Sequence, residues 1–241
     1  MLLTYFLLAT VTAFASDKET LLVDGHAAFL IPAAGNAKAW VWYAPTLPQY
    51  PGPEERWMFE RFAAAGISVA GIDVGESYGS PAGRALFTKL YERLVARGYS
   101  RKPVLLGRSR GGLMTLAWAA ENPRRVAAWA GIYPVTNLVS YPGLAKAAGA
   151  YGLTAEQLEA RLAQHNPVDR LSALARAKVP FFAIHGDVDK LVPLEANSAL
   201  LKARYGGPMQ LIVAAGQGHT MWRGFFECAE LVEFVKANAF R

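Results

Sequence analysis

Along the chain, apolar residues fall into short unbroken runs, separated by longer amphipathic stretches and by turns rich in Gly and Pro. The runs at 27–31, 37–43, 67–72, 104–106, 126–132, 181–184 and 210–213 predict strands. Apolar positions at helical spacing predict helices over 53–65, 82–97, 111–121, 194–205 and 222–239. Strands regularly followed by helices imply an α/β fold, a mostly parallel sheet with helices on both faces. The unbroken apolar character of the runs agrees, since a sheet covered on both sides buries every side chain. No helix is predicted between the first two strands, so the sheet should start antiparallel. The stretch 134–179 breaks the rhythm, with no strand and only helical pieces near 154–164 and 169–177. A structureless loop of that length does not suit a compact domain. A small helical lid is therefore expected at about 135–178, above the carboxyl edge of the sheet.

Length and composition add bounds. The chain has 241 residues, 53% of them hydrophobic, enough for one domain with a large core and no disulfide or metal. Cys228 is the only cysteine, so no intrachain disulfide can form. Its setting among Phe225, Phe226 and Ala229 reads as a helix face with a buried, inert thiol. The formal charge is +6, but Lys and Arg are scattered and form no tight run. Nucleic acid is not an expected partner; an anionic substrate is a better use for a few of these cations. Residues 1–16 are apolar and end in Ala13-Phe14-Ala15 before Ser16-Asp17, which resembles an export signal over 1–15. A secreted or periplasmic location and a mature domain over 16–241 follow, although no Lys or Arg follows Met1. A strand or an upstream extension is the other reading. A bilayer span needs roughly 20 apolar residues, so no stable membrane insertion is expected.

The chemistry starts at Gly107-Arg108-Ser109-Arg110-Gly111-Gly112, between a predicted strand and a predicted helix. Gly-x-Ser-x-Gly in that context forms a nucleophile elbow, a strained turn on which bulkier neighbours would clash. The turn lifts the Ser109 hydroxyl off the sheet, beside the N–H groups of a helix N-terminus that favour an oxyanion. A second match, Gly75-Glu76-Ser77-Tyr78-Gly79, is followed by Pro81 and Gly83, so no helix starts at Ser77. Ser109 is therefore the expected nucleophile, and Ser77 a loop residue.

After the strand at 181–184 come two carboxylates, Asp187 and Asp189. Asp189 lies further into the turn, where it can accept a hydrogen bond from a histidine and stabilise the imidazolium. Asp187, beside Gly186, suits Asx-type bonds that hold the turn itself. After the strand at 210–213, His219 follows Gly216-Gln217-Gly218 on a flexible loop that can swing over the elbow. His26 comes too early, His165 falls in the lid, and His185 sits at a strand end.

On the segments 107–112, 185–193 and 216–219, the chain resembles the α/β-hydrolases, and is similar to their esterase and prolyl-oligopeptidase-like branch. The order Ser, Asp, His matches that superfamily. The resemblance implies a serine hydrolase without metal or organic cofactor, acting on a small ester through an acyl-enzyme. It also implies an oxyanion hole with two backbone donors: Arg110, and either Ala44 or Thr46 after an earlier strand. Short-peptide hydrolysis is the alternative activity, and a non-catalytic binding protein the remaining class. Oligopeptidases of this branch usually carry a propeller for which the chain has no room, which favours the esterase. Arg110 opposes the helix dipole at a cost of a few tenths of a kcal/mol. This calls either for a carboxylate partner or for a role at the oxyanion or substrate. Glucuronoyl esterases resemble the elbow locally, with Arg directly after the nucleophile. Arg108, Tyr78 and Trp222 neighbour the motif loops and are the candidate substrate contacts; Trp42, Tyr43 and Tyr133 line the mouth or pack in the core.

Overall fold

The computed structural model describes residues 18–241. The expected export signal lies outside the described residues.

Eight strands form one sheet: β1 (Glu19–Val23), β2 (His26–Ile31), β3 (Ala39–Ala44), β4 (Ile67–Ile72), β5 (Val104–Arg108), β6 (Ala128–Ile132), β7 (Phe181–Gly186) and β8 (Met209–Ala214). Their order is β1-β2-β4-β3-β5-β6-β7-β8. β2 runs antiparallel to β1 and β4, and the remaining pairings are parallel. This is the α/β-hydrolase architecture. β1 is absent from the sequence expectation because it is an edge strand whose side chains are mostly half-buried or exposed. Its signal lies in the turn: Asp24 and Gly25 both take positive φ, 51° and 81°, as a two-residue hairpin of the Asp-Gly kind requires.

Successive residues of β3 explain the unbroken apolar runs. Trp40 and Trp42 enter one core with Phe87, Leu90 and Trp118, under helices α2 (Pro81–Ala96) and α3 (Gly111–Glu121). Val41 and Tyr43 enter the opposite core with Phe62, Phe182 and Val235. That face is covered by α1 (Arg56–Ala64) and by α10 (Ala229–Asn238) at the chain's end. Burying each such large side chain contributes about 1.5–3 kcal/mol.

Between β6 and β7 lie four short helices: α4 (Leu144–Ala147), α5 (Ala155–Glu159), α6 (Leu162–His165) and α7 (Ser172–Arg176). Leu138, Ala147 and Leu158 of this segment share a small core with Tyr78, Leu113 and Val192. Two buried asparagines pin its entry, Asn197 accepting from the Thr136 N–H at 3.0 Å and Asn166 from that of Leu138 at 2.9 Å. The helix expected from 194 is shorter, α8 (Ser198–Arg204), because the Asn197 backbone leaves helical geometry with φ of −128° and ψ of −92°. The helix expected over 222–239 is two, α9 (Arg223–Phe226) and α10, with Cys228 extended between them. Cys228 thus stands at the position before α10, without a capping side-chain hydrogen bond, rather than on a helix face, and it is buried.

Candidate active site

Ser109 sits between the end of β5 and the start of α3 with φ of 49°, a region L-residues seldom adopt. The turn is held by its own backbone. The Ser109 N–H donates to Ile132 at 3.0 Å, and its carbonyl accepts from Gly112 at 2.9 Å and Val135 at 2.8 Å. The flanking glycines are required by space. A Cβ on Gly111 would lie 2.0 Å from the Ala44 carbonyl oxygen, and one on Gly107 2.7 Å from the Gly112 Cα. At the second sequence match, the positive φ falls on Tyr78 (48°) instead of Ser77. Ser77 is buried against Gly83 of α2.

Ser109, His219 and Asp189 form one hydrogen-bonded line, with Ser109 Oγ 2.9 Å from His219 Nε2 and His219 Nδ1 2.7 Å from Asp189 Oδ2. Burial pushes the Asp189 carboxyl up, but hydrogen bonds from His185, His219 and the Val192 N–H outweigh it and hold the group well below the usual carboxylate range. An ionised carboxylate only accepts, so Nδ1 carries the imidazole hydrogen and Nε2 is free to accept the Ser109 proton.

Division of labour on the β7 turn differs from the expectation. The Asx-type bonds are made by Asp189, whose Oδ1 accepts from Leu191 at 3.0 Å and Val192 at 2.8 Å. Asp187 instead accepts from Gly216 at 2.7 Å, tying the turn to the His219 loop. His185, passed over as a strand-end residue, supports the acid. It is fully buried, with Nε2 2.8 Å from the Val192 carbonyl and 3.4 Å from Asp189 Oδ2, and Nδ1 2.8 Å from Ser198 Oγ. The carbonyl can only accept, so Nε2 carries the hydrogen and Nδ1 accepts from Ser198.

A cavity of about 260 Å³ opens over Ser109 and His219, lined also by Tyr50, Arg108, Arg110, Tyr133, Tyr141 and Met221. Arg108 lines it, but its charge is already met: Nη1 lies 2.5 Å from Glu55 Oε1 in a buried ion pair. Arg110 finds the carboxylate partner its position calls for, with Nη2 2.9 Å from Glu76 Oε1. Its Nε is buried without a partner among the described residues.

Four expected contacts are placed elsewhere. Ala44 and Thr46, expected for their backbone N–H groups, do not line the cavity: Ala44 is buried at the end of β3, and Thr46 bridges to Asp73 beyond β4. Tyr78 is buried in the core of the helical segment. Trp222 is 42% exposed, its ring lying over Gly224 and edge-on to Phe225. Trp42 and Tyr43 pack in the two cores, whereas Tyr133 reaches the site, its ring centroid 4.4 Å from that of His219. Burial pushes the Tyr133 hydroxyl well above the usual tyrosine value, so it stays a neutral donor.

Tyr50 was not foreseen. Of the loop that follows β3, Pro45 and Tyr50 line the cavity. Pro45 has no N–H, and the Tyr50 N–H already donates to Leu47 at 2.9 Å, so of these two residues only Tyr50 carries a donor without that commitment, its hydroxyl. Its only signal in the sequence is position, in the loop for which the resemblance implies a second oxyanion donor. Among the described residues no three His, Cys, Asp or Glu side chains gather as a metal-binding group.

A family model described as the prolyl oligopeptidase family matches residues 87–238, a span containing Ser109, Asp189 and His219. No curated protein matches the chain in sequence. Solved structures share the fold. An S-formylglutathione hydrolase from Agrobacterium tumefaciens superposes with a TM-score of 0.72 at 14% identity, over 92% of this chain and 94% of that one. Est1E from Butyrivibrio proteoclasticus gives 0.66 at 17% identity, over 91% and 96%. A Mycobacterium tuberculosis puromycin-hydrolyzing peptidase gives 0.70 at 17% identity, over 92% of this chain and 39% of the peptidase, so the chain spans well under half of that protein.

Proposed function

The chain belongs to the prolyl oligopeptidase family, and from that premise we propose that it is a serine hydrolase that cleaves carboxylic esters through an acyl-enzyme. The observation that carries this reading is the line from Ser109 through His219 to Asp189 on a strained elbow. Ser109 Oγ attacks the ester carbonyl while His219 Nε2 takes its proton. The tetrahedral oxyanion is held by the N–H of Arg110, which has no main-chain acceptor among the described residues, and by the Tyr50 hydroxyl. Collapse breaks the bond to the leaving oxygen, and His219 returns the proton to the departing alcohol. Water, deprotonated by His219, then attacks the acyl-enzyme and releases the acid and free Ser109. Asp189 stays ionised throughout and stabilises the imidazolium.

The lining of the cavity supports an ester over a peptide with a free amino end. It holds two arginines and no carboxylate that would pair with an α-ammonium. Tyr141, from the segment between β6 and β7, reaches the cavity, which supports a lid role for that segment. The family match favours a second reading, hydrolysis of short peptides by the same machinery. Short-chain nitrophenyl esters and aminoacyl nitroanilides, assayed side by side, separate the two. We expect turnover of the esters with a pre-steady-state burst of nitrophenol, abolished in Ser109→Ala. Turnover of the nitroanilides alone would replace the ester reading with the peptidase one.

A further inference from the structure

The proton relay makes no use of the most deeply buried ion pair beside it. Glu55 is 0% exposed and Arg108 only 5%. The Glu55 carboxylate joins three separate segments. Oε1 accepts from Arg108 Nη1 at the end of β5 and from the Tyr43 hydroxyl of β3, each at 2.5 Å. Oε2 accepts from the Gly52 N–H at 2.8 Å, two residues beyond Tyr50. Buried ion pairs are a weak source of stability, because removing both charges from water offsets most of their attraction, and apolar pairs of similar volume often replace them without loss. A pair kept next to a nucleophile therefore calls for another account.

Arg108 reaches both sides of Ser109 from this anchor. Its guanidinium carbon lies 4.3 Å from the centroid of the ring of Tyr50, the residue proposed above as an oxyanion donor. Its Nη2 lies 3.4 Å from the sulfur of Met221, two residues beyond His219. The same sulfur is 3.8 Å from the Tyr133 hydroxyl, and the Tyr133 ring packs on that of His219. We infer that Glu55 is a positioning residue, which through Arg108 holds the Tyr50 hydroxyl and the His219 imidazole in register with Ser109. The inference rests on the serine-hydrolase reading above. Glu55 touches neither substrate nor reacting atoms; it acts by fixing a guanidinium that both flanking loops lean on. A misplacement of about 1 Å in such groups costs on the order of 100-fold in rate.

The test uses the full chain and a fluorophosphonate probe, whose reaction with Ser109 needs the same base and the same oxyanion donors whatever the natural substrate. E55Q keeps the side-chain shape but leaves Arg108 buried without its counter-ion, which endangers the fold. The paired variant E55M/R108M replaces both ions with apolar groups of similar length. We expect the paired variant to fold with a lowered melting temperature, since the Tyr43 hydroxyl and the Gly52 N–H lose their acceptor, and to label to completion, but about 100-fold more slowly. With a nitrophenyl ester, kcat should fall by that factor while KM holds. Labelling of the paired variant at the wild-type rate would overturn the inference and leave the hydrolase reading intact. Loss of the fold in both variants would overturn it too, by making the pair structural. An unlabelled wild type would reject the parent reading and this one together.

Discussion

Asp189 accepts from the N–H groups of Leu191 and Val192 and from His219, whereas Asp187 accepts from Gly216 across to the next loop. These partners assign different consequences to two similar substitutions. D189N should lower kcat by about 10⁴-fold, since an amide in place of the carboxylate favours the wrong imidazole tautomer. D187N removes the charge but keeps an oxygen that can accept from the Gly216 N–H, and should cost at most about 1 kcal/mol in urea unfolding, with kcat near wild type. Reversal of the two outcomes would reassign the acid. At Cys228, burial pushes the thiol up to about 11, so little thiolate exists at pH 8. A disulfide-exchange reagent should leave the native protein unmodified and titrate one thiol after unfolding; rapid native modification would contradict the buried placement. Ser109, Asp189 and His219 were legible in the sequence because each lies in a local motif whose glycines and flanking elements report its setting. Glu55 and Tyr50 were not, since the Glu55 contact to Arg108 spans 53 residues and no local pattern records it. Thr46, a candidate for its backbone N–H, does not line the cavity for a related reason: its backbone bridges to Asp73, a pairing between distant segments.

The elbow is the element on which the site depends, and its tolerances are tight. A methyl group on Gly111 would meet the Ala44 carbonyl at 2.0 Å, a contact with backbone that no rotamer change relieves. G111A should therefore lose about 3 kcal/mol of stability, at the upper end of the range for overpacking. An unchanged urea midpoint would show that β3 can move away from α3. Strands β3 to β7 were legible because both faces are covered and their residues are mostly apolar. β2 and the edge strand β8 were legible because each keeps a short apolar run, Phe29-Leu30-Ile31 and Leu211-Ile212-Val213, despite partial exposure. β1 was not, being an exposed edge announced only by its Asp24-Gly25 turn. The break between α9 and α10 was equally hidden, because apolar spacing continues through Phe225, Phe226, Leu231 and Val232 while the backbone at Cys228 turns extended.

At the scale of the molecule, the alternation of strands and helices conveyed the layered fold, but not that β4 inserts between β2 and β3. That swap depends on pairings between strands distant in the chain. The buried acid also links the site to global stability. Burial opposes ionisation of Asp189, but its hydrogen bonds hold the folded-state value below the roughly 3.9 of an unfolded Asp. The unfolded chain therefore binds the proton first on acidification. The contribution is complete above the unfolded value and is lost as pH falls through the folded one. Urea midpoints from pH 7 downward should fall more steeply below about pH 4 for the wild type than for D189N; parallel curves would remove Asp189 from acid unfolding. The central claim is that Ser109, and not the equally motif-like Ser77, is the nucleophile. Intact-mass measurement after exposure to a fluorophosphonate tests it most directly. The account predicts one adduct on the wild type and on Ser77→Ala, and none on Ser109→Ala. An adduct that survives Ser109→Ala, or disappears with Ser77→Ala, would contradict it.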